Sequence, residues 1–137
     1  MTKREEDLMI EGLKQVMLYV DDVTAMKMFW VEAVGFELRE EVTDGMHFAE
    51  IAATSHSQTS FVLFDKQVIA AQSPELDLGT PSLMFQTADA TALYEKFKAK
   101  GIRVGDLVDM PMGKVFNFAD PEGHYFAVQD LTHLRAD

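Results

Sequence analysis

From Gln15 to Val20 the chain alternates with period two: Val16, Leu18 and Val20 share one face, and Gln15, Met17 and Tyr19 the other. That period, with its β-branched residues, predicts a strand. Asp22 follows as a residue able to accept hydrogen bonds from the first free amides of a helix. Met26, Phe29, Trp30 and Ala33 then recur at helical spacing as a buried stripe, and Gly35 predicts the stop. A second stretch uses the same grammar: strand 83–87, cap Asp89, stripe Leu93 and Phe97, stop Gly101. Lys96, Lys98 and Lys100 occupy its last turn, where cations meet the negative end of the helix dipole. Strand-like runs follow each helix, at 36–42, 46–52 and 60–65, then at 103–108, 114–119 and 125–129. Asp44-Gly45 and Asp120-Pro121-Glu122-Gly123 supply turn chemistry between strands.

The two halves are a repeat. At an offset of 67, Met17 falls on Met84, Asp22 on Asp89, Thr24 on Thr91, Ala25 on Ala92 and Trp30 on Phe97. Gly35 meets Gly101 one residue out of step, and Gly45 and Phe48 meet Gly113 and Phe116 at an offset of 68. The order of these matches predicts a duplicated α+β chain of two tandem βαβββ modules, 13–66 and 81–130, joined by a linker at 67–80. Residues 1–12 read as an N-terminal extension and 131–137 as a tail.

Composition narrows the partners more than the fold. The 137 residues carry 23 acidic and 12 basic side chains, a formal charge of -11, and no cysteine. That sign argues against nucleic acid and against an anionic membrane surface. Lack of cysteine removes thiolate metal sites and thiol nucleophiles. No run approaches the ~20 apolar residues of a membrane span, so a cytoplasmic protein is expected. There is no Gly-x-Ser-x-Gly elbow, no phosphate-cradling glycine loop and no pair of histidines four apart.

Phe29-Trp30 followed by Gly35-Phe36, and Asp120-Pro121-Glu122-Gly123-His124 before the last strand, give the chain its family look. It resembles the vicinal oxygen chelate superfamily, which includes glyoxalase I, extradiol dioxygenases, fosfomycin-resistance enzymes and bleomycin-binding resistance proteins. The resemblance covers residues 13–130 and implies a curled mixed sheet around a cup, with helices on the outer face. Metal-dependent members hold an ion from four strand positions, which here correspond to Gln15, Leu63, Ser82 and Ala127. Hydrocarbon at two of these implies that the family metal site is lost, so no cofactor is expected.

Strand parity within that fold sorts the cup. Val16, Leu18, Val20, Leu83 and Phe85 should face the helices. Gln15, Met17, Tyr19, Ser82, Met84, Gln86, Asn117, Tyr125 and Gln129 should face inward, the last two with Ala127. His47 is placed with Ala49 and Ile51 on the concave face, and Glu50 opposite; Met110 and Met112 are set near the mouth. His56, His124 and His133 read as surface residues. Apolar walls with a few amides and hydroxyls suit a small-molecule pocket. The expected function is therefore metal-free binding of a small organic ligand, cationic or aromatic, by sequestration as in the bleomycin-resistance proteins. The alternative is a metal-dependent glyoxalase I-like lyase or dioxygenase-type enzyme with non-standard ligands, including Gln15 and His47. A third class is a regulatory, partner-binding protein whose cup Met17, Tyr19, Met84 and Tyr125 fill. The resemblance also implies a homodimer.

Overall fold

Every second side chain of β1 (Gln15–Val20) turns toward the core, as its alternation requires. β1 lies parallel to β4 (Ser60–Asp65), with Gln15 opposite Ser60 and Val20 opposite Asp65. β4 runs antiparallel to β3 (Phe48–Ala52), and β3 to β2 (Glu37–Val42), giving the order β1-β4-β3-β2. The structure is a computed structural model and describes residues 9–130, so the tail with His133 and most of the N-terminal extension lie outside the described residues.

Helix α1 (Val23–Met28) begins where Asp22 accepts the amide of Ala25 at 3.0 Å. It continues as a wider π-helical segment over Phe29–Val34, where the amides of Gly35 and Phe36 both reach the Trp30 carbonyl. Gly35 closes it with φ 97°, a conformation open to glycine. The second module repeats the scheme. β5 (Met84–Thr87) pairs parallel with β9 (Tyr125–Asp130), and β9 antiparallel with β8 (Gly113–Ala119). Helix α3 (Ala90–Ala99) starts at Asp89, which accepts the Ala92 amide at 3.0 Å.

Two elements differ from the sequence pattern. The run 103–108 breaks into β6 (Arg103–Val104) and β7 (Val108–Met110), both on β8, and the register slips by one residue between them. Gly105 holds the break with one bond to the Asn117 carbonyl at 2.8 Å. β7 and β8 then form a hairpin closed by Pro111-Met112, which leaves Met110 and Met112 on the surface. The linker also contains a helix, α2 (Lys66–Gln72), started by Asp65 accepting from Gln67 and Val68. It buries no residue, so no apolar stripe announces it.

Both sheets turn their helix-bearing faces into one core. Trp30 sits at its centre, with ring centroids 6.5 Å from Phe61 of the first sheet and 5.9, 5.9 and 5.1 Å from Phe85, Phe118 and Phe126 of the second. The start of α1 and the end of the π-helical segment that continues it are also held from the other module. The Glu122 carboxylate accepts the amides of Asp21 and Asp22 at 2.9 Å each, and Lys100 Nζ donates to the Glu32 and Ala33 carbonyls. Since the sheets meet through these faces, their opposite faces look outward, away from each other. No helix among the described residues is long and apolar enough to cross a membrane.

Candidate functional site

On the first sheet the outward face carries Gln15, Met17 and Tyr19 of β1, Ser60, Val62 and Phe64 of β4, and Phe48 and Glu50 of β3. Tyr19 stacks on Phe64 at 6.2 Å and 22°, and Phe48 lies 5.7 Å from the same ring, making an aromatic wall. One row along, Ser60 Oγ donates to Glu50 Oε2 at 2.7 Å and Gln15 Nε2 donates to the same oxygen at 3.3 Å.

The second sheet sets Met84, Ala127 and Asn117 abreast on its outward face, with Gln86 and Gln129 abreast in the next row. Met84 and Tyr125 are 56% and 60% exposed, so this face is uncovered within one chain. Ser82 precedes β5 and is exposed. The expected cup residues thus form two groups, one per sheet, that do not converge in a single chain.

Four placements read from the sequence are corrected. Ala49 and Ile51 are 0% exposed and pack on the helix side, opposite Leu63 and Phe61, so His47 with the same parity does not face the cup. Its Nε2 instead lies 3.0 Å from Glu41, whose other oxygen takes Lys27 Nζ at 2.9 Å. Leu63 is likewise wholly buried in the core, and Val62 is the outward residue of β4 at that level. Glu50, set aside in the sequence reading, belongs to the outward face. The signal that finds it is register: Phe61 and Leu63 fix which alternate set of β3 is inward. His124 is also more than a surface turn residue, its Nδ1 lying 2.8 Å from the buried Asp120 carboxylate.

The hydrogen bond from His47, then that from Lys27, holds the Glu41 carboxyl below its ordinary value of 4.5. A lowered folded-state pKa stabilises the protein above the ordinary value and is lost as pH falls through the lowered one. The melting temperature of the wild type should therefore fall more steeply below pH 4.5 than that of Glu41→Gln. Parallel melting curves across that range would show that the cluster contributes nothing.

The outward residues do not fit a divalent ion. Gln15, Val62, Ser82 and Ala127 offer an amide, a hydroxyl and two hydrocarbons, too few donors for the metal the resemblance implies. Among the described residues no three His, Cys, Asp or Glu side chains are grouped to hold one. A separate cleft of about 870 Å³ opens between the modules, with Val16, Phe36 and Phe61 on one side and Phe85, Leu93 and Phe97 on the other. Met84 and Gln86 reach its lining, which contains no ionisable residue.

The model of the Glyoxalase/Bleomycin resistance protein/Dioxygenase superfamily matches residues 12–128. The chain belongs to that superfamily. Among curated proteins, this glyoxalase-superfamily chain is 27% identical over 124 residues to "Uncharacterized protein YetH" of Bacillus subtilis (strain 168), covering 89% of the present chain and all of YetH. Among solved structures it is similar to TnmS3, an antibiotic binding protein from Streptomyces sp. CB03234, with a TM-score of 0.76 and 25% identity over 90% of this chain and 98% of that one. A lactoylglutathione lyase from Agrobacterium tumefaciens shares the fold, with a TM-score of 0.66 and 21% identity over 88% of this chain and 94% of that one.

Proposed function

We propose that this superfamily member binds a small organic molecule without transforming it, in cups completed by a second copy of the chain. The observation that carries this reading is the make-up of the outward faces. They offer aromatic and thioether walls with a few amides and the paired carboxylates of Glu40 and Glu50, and among the described residues no metal-ligand set or nucleophile–base pair. The similarity to an antibiotic-binding protein supports the same class.

The two groups of expected residues face apart, so one chain offers two half-cups. β1 and β5 are both edge strands with one free side. A two-fold dimer that sets the first-sheet face of one copy against the second-sheet face of the other makes two equivalent cups. Gln15, Met17 and Tyr19 then stand across from Met84, Asn117 and Tyr125 of the other copy.

The test is a melting-temperature screen against polycyclic aromatic and cationic antibiotics, with sedimentation to give the assembly state. A ligand at 100 times its Kd should add about 2.7 kcal/mol of stability, and mass spectrometry should recover it unaltered. Binding by a dimer that survives Leu93→Trp, which narrows the cleft, supports the cups. A stoichiometric transition metal retained through dialysis, with turnover of the ligand, would replace this reading by the enzymatic one.

A further inference from the structure

We infer that the outward face of the first sheet selects an arylalkyl cation, an ammonium or amidinium carried a short distance from an aromatic ring, with Glu50 as its counter-ion. This rests on the small-molecule reading above and names the ligand class.

Glu50 is partly buried in the middle of its sheet, with Val62 as its register partner on β4 and Met17 beyond it on β1. A carboxylate drawn out of water onto such a face loses hydration that neutral hydrogen bonds only partly replace. Ser60, itself 2% exposed, and Gln15 supply two neutral bonds, and both end on Oε2. Together they fix the carboxylate and leave Oε1 without a hydrogen bond among the described residues. No Lys, Arg or His among the described residues forms an ion pair with Glu50. Its register partner on β2 is Glu40, another negative charge, so the chain adds repulsion where a cation is wanted. The missing partner is a positive group brought by the ligand, which would form a charge-assisted bond to the free oxygen.

The neighbouring row fixes the rest of the molecule. Phe48, Phe64 and Tyr19 lie two residues along their strands, about 7 Å from the level of Glu50, as a cluster of three neighbouring rings. A ring stacked there and a cation on Glu50 define a spacing of a few bonds.

Two near-isosteric probes test this with the full chain: 2-(1-naphthyl)ethylamine, charged at pH 7, and 2-(1-naphthyl)ethanol, neutral. By titration calorimetry the amine should bind about tenfold tighter than the alcohol, with the difference shrinking as salt is raised. Glu50→Gln, which keeps an acceptor for Ser60, should erase the preference, bringing the two probes to within about twofold of each other. Glu50→Asp should keep part of it, and serves if the amide variant does not fold. Equal binding of the two probes, or a preference that survives Glu50→Gln, overturns the cation inference and leaves the small-molecule reading standing. Binding of neither probe, when an antibiotic from the screen does bind, also overturns this inference alone. No binding by any of them overturns both.

Discussion

Replacing Trp30 by Ala should lower the stability of this chain by about 3–5 kcal/mol. A domain of this size has only about 5–15 kcal/mol in total, so the loss is a large share of its stability. The indole is 2% exposed and touches rings from both sheets, so its removal leaves a cavity shared by two modules. The surroundings cannot collapse easily, because Phe61, Phe85, Phe118 and Phe126 are anchored on different strands. Urea unfolding followed by circular dichroism is the right measurement, since Trp30 is the single tryptophan and its fluorescence disappears with it. Trp30→Phe keeps a ring at the centre and should cost about half as much. The two modules should also stop melting together in Trp30→Ala, because the shared core couples them. A single transition displaced by less than about 1 kcal/mol would mean that Trp30 does not join the modules.

The same residue explains which parts of the fold the sequence made readable. Within a module the signals are local: the alternation of Gln15–Val20, the Asp22 and Asp89 caps, and the glycine stops at Gly35 and Gly101 all reappear in the structure. How the modules meet is not local. It depends on Trp30 crossing to the second sheet, and no periodicity within α1 or β8 encodes that contact. The inverted face of β3 has a related cause. Phe48 is apolar on one face and Ala49 and Ile51 on the other, so alternation alone is ambiguous, and only pairing with β4 decides it. That one inversion moved His47 onto the site and removed Glu50 from it.

The outward residues on β1, β5, β8 and β9 were legible because each strand has one plainly apolar face. In β5, Phe85 is inward and Met84 and Gln86 are outward, and in β9 Phe126 and Val128 leave Tyr125, Ala127 and Gln129 outside. What no strand pattern could supply is the direction of one sheet relative to the other, and so whether a cup closes within a chain. The negative charge also becomes local: among the described acidic residues, Glu50 is the one held by neutral side-chain donors on the candidate face.

Gly113→Ala should cost about 2–4 kcal/mol, a large effect for adding one methyl group. Gly113 has φ 137°, and a Cβ there would overlap the Asp130 carbonyl oxygen and stand 3.0 Å from its Oδ1. The nearest of these atoms is backbone, so a rotamer change cannot relieve the overlap. Asp130 is 2% exposed and its carboxylate accepts the amides of Ala90 at 3.0 Å and Lys114 at 3.1 Å. Moving it would disturb the first residue of α3 and the start of β8 together, leaving buried amides short of a partner. Gly45→Ala is the internal control. Gly45 also has positive φ, at 82°, but nothing lies within 4 Å of its added Cβ, so only the backbone penalty of about 1–2 kcal/mol applies. Urea denaturation gives both values, and hydrogen exchange locates the damage. In Gly113→Ala the amides of Ala90 and Lys114 should exchange faster, while those of β1 and β4 keep their protection relative to global stability. If Gly113→Ala costs no more than Gly45→Ala and these amides stay protected, β8 and β9 do not approach as closely as described, and the Asp130 bridge to α3 fails with them.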